Sequence, residues 1–392
     1  MRVVAIIQAR MGSTRLPGKV LMPIAGKPVL WHVIHRLRKC KTVDSIALAI
    51  STNPVDDPLE KFGENVGINV IRGPEDNVLE RYYIAAKALQ ADIIIRVTGD
   101  APLIDPDWID HLVLELIDQK IDWVGGDPEI PSIHEGFSPF TFKALEKLIH
   151  DAGNDPAARE HVTAYFKEHP EFVPIAYVNP GPEYRFSGAR ISVDTPADLR
   201  FLEEVYRLLK TKPGEADVRD VVALLQIRPD LMRINSFVHQ KKPYEPTRHI
   251  LICCDSDDKF LKKSLKFSLK LAEILRDFHG FGITFFILKE SKVCELVGKA
   301  GFSIESFQLD NEEQVFGETV NRLKPEIIIN YKKQVESEKI NKLREKGIII
   351  IDFNDINHKI NQKSHLLGSE SDEKEIVNKI LAFFSKNKIL FD

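Results

Sequence analysis

One feature restricts the fold of this 392-residue chain more than any other. Short runs rich in Val and Ile alternate with longer stretches whose apolar residues recur at a helical period. Residues 2–7, 45–51, 69–72, 93–97 and 189–193 read as strands, and 29–40, 77–89 and 108–119 as amphipathic helices. Such alternation predicts an α/β fold, with a mostly parallel sheet and helices on both faces. In sheets of that kind ligands bind beyond the carboxyl ends of the strands, so the residues just after each strand carry the functional signal.

The composition changes near residue 240. Residues 1–240 hold 16 Arg, 12 Lys and 19 Pro, and the remainder 4 Arg, 22 Lys and 3 Pro. Between the two lies a polar, proline-interrupted stretch, Gln240-Lys241-Lys242-Pro243-Tyr244-Glu245-Pro246, a poor candidate for helix or central strand. The expected organisation is a first domain over 1–236, a linker over 237–248 and a second domain over 249–392. The second repeats the alternation in miniature, with strands expected at 249–254, 283–288, 326–331 and 348–353, as in one Rossmann-type half.

Several function classes drop out. A net charge of −4 gives no reason to expect nucleic acid or an anionic membrane as partner. No apolar run approaches the roughly 18 residues that span a bilayer. The apolar start, residues 1–7, is too short for the core of a signal peptide. Cys40, Cys253, Cys254 and Cys294 show no metal-binding spacing. A reducing cytoplasm is the simplest expectation.

Directly after the first strand comes Ala9-Arg10-Met11-Gly12-Ser13-Thr14-Arg15-Leu16-Pro17-Gly18-Lys19. Three cations, two glycines and two hydroxyls fall in the connection best placed to face a ligand. Glycine lets backbone N–H groups approach an anion, and Arg10, Arg15 and Lys19 can neutralise a polyphosphate. Pro17 and Gly18 would fix the turn that aims Lys19 inward. The spacing of Gly12 and Lys19 is not that of a P-loop. A solvated basic loop is the plain alternative.

Two aspartates stand just past strand-like runs: Asp100 in Thr98-Gly99-Asp100-Ala101-Pro102-Leu103-Ile104-Asp105-Pro106, and Asp194 in Val193-Asp194-Thr195-Pro196-Ala197-Asp198-Leu199. Parallel strands would bring both to one rim, where two carboxylates could hold Mg²⁺ against phosphate oxygens. Asp194 could equally cap the helix that begins near Pro196, with Thr195 as the alternative cap, and Asp105 reads as a cap.

Together these motifs resemble those of the sugar cytidylyltransferases, the superfamily of the CMP-KDO and acylneuraminate synthetases, and within it the spore-coat polysaccharide biosynthesis branch. The resemblance covers residues 1 to about 236. It implies a nucleotide-diphospho-sugar-transferase-like, Rossmann-type mixed sheet and the reaction CTP + sugar → CMP-sugar + pyrophosphate. It implies nucleotide binding by Ala9, Arg10, Gly12, Ser13, Arg15, Lys19 and Asp100, catalysis by Arg10, Lys19 and Asp100, and Mg²⁺ held by Asp100 and Asp194. Arg72-Gly73-Pro74-Glu75-Asp76-Asn77-Val78-Leu79-Glu80-Arg81 resembles the family's segment beside the nucleotide, which adds Arg72, Asn77 and Arg81. Arg159-Glu160-His161-Val162-Thr163 matches the spore-coat branch and adds Glu160 and His161, with Gly136, as acceptor candidates. The implied acceptor is a 2-keto-3-deoxy or nonulosonic-type acid, and the implied assembly a homodimer.

One segment departs from the pattern. Where the family has Gly-x-Asp-x-Glu near the sugar, this chain has Gly136-Phe137-Ser138-Pro139-Phe140, without a carboxylate. A sugar-1-phosphate nucleotidyltransferase using another triphosphate, a glycosyltransferase of related fold and an inactive scaffold of the same pathway are the rival readings. From His249 the chain resembles the N-terminal half of the nucleotide-sugar hydrolases of the pseudaminic-acid pathway. Lys262-Lys263-Ser264 stands there in place of the family's glycine- and histidine-bearing turn, and Phe267 in place of an arginine. A non-catalytic second domain is therefore expected.

Overall fold

The structure is a computed structural model that describes residues 1–240, 245, 248–254, 261–289, 292–330 and 343–352. The chain divides into two compact units. Residues 1–13 and 18–237 form the first, and 14–17, 238–240 and the described residues from 245 onward group as the second.

The first unit contains β1 (Val3–Gln8), a two-residue hairpin of β2 (Pro23–Ile24) and β3 (Lys27–Pro28), α1 (Val29–Leu37), β4 (Ser45–Ser51), α2 (Asp57–Asn65), β5 (Asn69–Gly73), α3 (Val78–Ala88) and β6 (Ile93–Thr98). It continues with α4 (Pro106–Asp118), β7 (Trp123–Gly126), β8 (Phe137–Thr141), α5 (Phe142–Ala152), α6 (Pro156–His161), α7 (Ala164–Glu168), β9 (Ile175–Val178), α8 (Pro196–Leu209) and α9 (Val218–Ile227). Seven strands form one sheet in the order β5-β4-β1-β6-β8-β7-β9. The four expected strands β1, β4, β5 and β6 are parallel, and β8 runs antiparallel to both β6 and β7, so the sheet is mixed.

The central strand shows why. In β1 the sequence Val-Val-Ala-Ile-Ile is buried on both faces, as a strand between two helical layers must be. Val3, Ala5 and Ile7 pack with Leu30, Val33 and Ile34 of α1 and with Ile109 and Leu112 of α4. Val4 and Ile6 pack on the opposite face with Leu79 and Tyr82 of α3 and Leu145 and Leu148 of α5. Each such buried aliphatic side chain contributes about 1.5–3 kcal/mol.

Residues 189–193, expected as a strand, form none. Their backbone groups are taken by side chains instead of a ladder: Ile191 N–H donates to Glu135 (2.9 Å), and the Arg190 carbonyl accepts from Asn235 (3.0 Å). A single backbone bond, Val193 N–H to the Asp100 carbonyl (2.8 Å), ties the segment to the end of β6.

The second unit is an all-parallel sheet of β10 (His249–Cys253), β11 (Gly282–Leu288), β12 (Ser303–Phe307), β13 (Ile327–Asn330) and β14 (Ile349–Asp352), with α10 (Leu261–His279), α11 (Lys292–Lys299) and α12 (Glu312–Leu323) between strands. Its order, β12-β11-β10-β13-β14, is the Rossmann order third-second-first-fourth-fifth. The strand β12 was not expected. Phe267 is buried in its core with Leu271 and Phe285. Tyr331 and Phe353, Asp255, half of the expected linker and the side chains of Lys262, Lys263 and Ser264 lie outside the described residues. No helix among the described residues is long and apolar enough to cross a membrane, and all four cysteines are free thiols.

Candidate functional site

The loop after β1 is held from below by a residue that sequence reasoning missed. Asp56, 1% exposed, accepts from the Met11 N–H (2.7 Å) and from the Ser51 hydroxyl (2.5 Å). The Met11 carbonyl in turn accepts from Ser13 N–H (2.9 Å) and Gly18 N–H (2.8 Å). Gly18 takes a left-handed conformation (φ 70°) that a side chain would resist, and the next residue, Lys19, is driven inward to 8% exposure. Asp56 was legible only as the acidic residue of a turn after β4.

Lys19 is where the chain's separate motifs meet. Its Nζ donates to Asp100 Oδ2 (2.5 Å), at the end of β6, and to Asp194 Oδ1 (2.9 Å), before α8. Burial alone would lower the Lys19 pKa, but the two carboxylates outweigh it and hold the ammonium above the usual lysine value. Asp194 also pairs with Arg190 Nη2 (3.1 Å).

Behind the pair lies a buried scaffold. Asp198, fully buried, accepts from Asp194 N–H (3.0 Å), Thr195 N–H (2.9 Å) and Asn235 Nδ2 (3.0 Å), and pairs with Arg190 Nε (3.3 Å). Burial works against the Arg190 charge, yet Asp198 and Asp194 together raise its pKa. Thr195 and Asp198 form the capping box of α8. The cap is therefore Thr195, which leaves Asp194 turned toward Lys19. Asp105 is the cap of α4, accepting from Asp107 N–H (3.2 Å). Arg190, Asp198 and Asn235 carried no strand-end signal and were missed, as was Glu135. Burial pushes the Glu135 carboxyl up to about 7, against the Ile191 N–H and Arg190, which favour the ion, while Asp100 adds to the rise.

The remaining expected residues are spread more widely. Ala9 is buried at the foot of the loop, Gly12 is exposed, and Arg10 is exposed with no hydrogen-bond or ion-pair partner among the described residues. Arg15 lies in the four-residue segment that groups with the second unit, where its guanidinium donates to the His239 carbonyl (2.8 Å). Arg72 is engaged by Asp57 (2.7 Å) and Glu60 (2.8 Å) of α2, and by the Ser51 carbonyl (3.0 Å). Asn77 caps α3, accepting from Glu80 N–H (3.1 Å). Arg81, 4% exposed, donates to the carbonyls of Pro74 (2.6 Å) and Glu75 (2.9 Å). Gly136 has a packing reason to be glycine: at φ +86° a Cβ would lie 2.3 Å from that of Ala101. Glu160 is exposed on the short α6, and His161 is half-buried at its end.

Asp100 and Asp194 are hard oxygen donors that converge on one cationic atom. No group of three or more His, Cys, Asp or Glu side chains able to hold a metal occurs among the described residues. A two-carboxylate set still suits Mg²⁺, which is commonly held by one or two carboxylates and completed by substrate phosphates and water.

A mixed α/β sheet with a buried lysine between two carboxylates, one just past β6 and one just before α8, is an arrangement that fits a nucleotidyltransferase. The cytidylyltransferase family model matches residues 4–261, and the chain belongs to that family. The spore coat polysaccharide biosynthesis protein SpsF of Bacillus subtilis is 31% identical over 58% of this chain and 95% of that protein. The 3-deoxy-manno-octulosonate cytidylyltransferase of Geobacter metallireducens is 35% identical over 39% of this chain and 59% of that protein. The solved structure of a cytidylyltransferase from Leptospira borgpetersenii superposes with a TM-score of 0.55 at 29% identity, covering 59% of this chain and 97% of that one.

Proposed function

We propose that residues 1–236 catalyse CTP + sugar acid → CMP-sugar + pyrophosphate, with Mg²⁺, in surface polysaccharide synthesis. The observation that carries this reading is the convergence of Lys19, Asp100 and Asp194, residues 81 and 94 positions apart along the chain, on one point. A sugar hydroxyl attacks the α-phosphorus in line, the new O–P bond forms, and pyrophosphate leaves. The chain's part is positioning and charge neutralisation. Lys19 and Arg10 would offset the triphosphate charge, and the exposed Gly12 backbone would approach phosphate oxygens. Asp100 and Asp194 would hold Mg²⁺, which supplies Lewis acidity at the phosphate when bound. Arg190 and Asp198 keep Asp194 aimed. Arg72, Asn77 and Arg81 have structural partners, and the family likeness gives them a place beside the nucleotide. Family likeness further suggests a cytoplasmic homodimer, with the second unit non-catalytic.

A scaffold reading draws on one observation. The stretch that departs from the family pattern is core: Ser138 and Phe140 are 6% and 0% exposed. One measurement separates the two. The heat-denaturation midpoint is taken with CTP, UTP, dTTP, ATP and GTP in turn, each with Mg²⁺, since a ligand of the native state alone raises stability with its affinity. A rise with CTP alone, followed by pyrophosphate release with keto-sugar acids, is expected. A rise with UTP or dTTP instead assigns a different nucleotide, and no rise with any leaves the scaffold.

A further inference from the structure

Two cations in the first unit stand apart from the Lys19 cluster and have no anionic partner among the described residues. Arg96 lies on β6, four residues before Asp100, and its side chain makes no hydrogen bond or ion pair among the described residues. Its Nε is buried without a partner. Arg96 is opposite Ser138 of β8. The Ser138 hydroxyl accepts from the indole N–H of Trp123 (2.6 Å), and over that indole ring, 5.8 Å from its centroid, stands the ammonium of Lys167 on α7. Arg96, Ser138, Trp123 and Lys167 thus form a continuous series across three strands and a helix.

The electrostatics agree with the geometry. Lys167 is exposed at the surface of α7, and partial desolvation of its ammonium, with the Arg96 guanidinium as the second cause, pulls the lysine below its usual value. A like-charged pair with no carboxylate is unfavourable, and the buried Arg96 Nε has lost water without gaining a partner. Along the strand the polar surface continues: Thr98 is two residues on from Arg96 on the same face, and Gln8, its partner on β1, has a buried Oε1 without a hydrogen bond. This surface runs toward the carboxyl end of β6, where Asp100 stands.

We propose that Arg96 and Lys167 form a subsite for the carboxylate of the acceptor. The inference rests on the transferase reading above. It also accounts for the core-facing Ser138 and Phe140: with the family's acidic pair absent from that stretch, recognition here is by cations and selects an acidic acceptor. A guanidinium presents two parallel donors to a carboxylate and an ammonium adds a point charge, a pairing worth more inside a crowded site than in water.

The test is the heat-denaturation midpoint of the full chain at saturating CTP and Mg²⁺ and constant ionic strength. It is titrated with 3-deoxy-manno-octulosonate, with pyruvate as the smallest 2-keto acid, and with mannose and inorganic phosphate as controls. Both acids are expected to raise the midpoint, and Lys167→Met or Arg96→Gln to raise the half-saturating acid concentration at least about tenfold, while Lys167→Arg keeps the response. Without ligands the Lys167→Met midpoint should be unchanged or higher, because no ion pair is lost; a fall would indicate a structural lysine and overturn the subsite. Equal acid responses in wild type and variants, no response to either acid, or a larger response to phosphate would overturn it as well. These outcomes are distinct from failure of the nucleotide reading, which would show as no rise with CTP before any acid is added.

Discussion

Both units of this chain bury a largely apolar sheet between helices, yet they treat charge in opposite ways. The first unit buries Lys19, Arg36, Asp56, Arg81, Asp105, Asp110, Asp122, Arg190 and Asp198. In the second, the buried charges among the described residues are Arg276 and Asp277, adjacent in sequence and paired at 2.6 Å. Its strands Ile327–Asn330 and Gly282–Leu288 are almost wholly apolar. Layered packing asks only for apolar faces of the right period. A buried charge asks for a partner, and the first unit supplies partners from far along the chain, as when Asn235 reaches Asp198 and Asp198 holds Arg190. Fold is what the two sheets share as a class, and the site is what one of them adds.

The sharpest way to break that contrast is to remove its central cation. Lys19→Ala should lower pyrophosphate release by about 10²–10³-fold, the usual loss for a preorganised charge stabiliser. The metal-free variant should also melt lower, because Asp100 loses its cation and faces Asp194, which keeps only Arg190, and added Mg²⁺ should restore part of the loss. Near-normal turnover would reduce the cluster to a structural ion pair.

A middle-sized effect concerns Glu135, which anchors the segment leading to Asp194. A carboxyl raised from 4.5 to about 7 on folding favours the folded state in its protonated form. That contribution is complete below about pH 4.5 and is lost as pH rises through about 7, a change of at most about 3 kcal/mol. Denaturant titrations of the ligand-free protein across this range should show the decline in wild type and a flatter profile in Glu135→Gln. Parallel profiles would mean that this carboxyl does not titrate in the window.

The smallest effect should come from the opposite region. A chain ended after Gln240 is expected to keep the CTP response and pyrophosphate release with little change. Insoluble or inactive product would make the second unit part of the working enzyme and erase the contrast between them.

What could be read before folding was local. The parallel strands at 45–51 and 93–97 stand out because fully buried strands are continuous in Val, Ile and Ala. The loop after β1 stands out because its cations, glycines and hydroxyls are contiguous. The antiparallel β8 did not, since Phe-Ser-Pro-Phe-Thr mixes an apolar face with a proline and lacks a β-branched run. Residues 189–193 looked like a strand by composition, and the structure gives their hydrogen bonds to Glu135 and Asn235.

The site divides along the same line. The amino-acid sequence alone determined that Lys19, Asp100 and Asp194 would each follow an apolar run or a turn, because backbone propensity and apolar period act over a few residues. Only the tertiary structure decided that Thr195 rather than Asp194 would cap α8, that Asp56 would hold the loop, and that Arg190, Asp198 and Asn235 would aim the second carboxylate. Those choices depend on which buried donors and acceptors can reach one another across the fold, and a polar group removed from water takes whatever partner the packing brings.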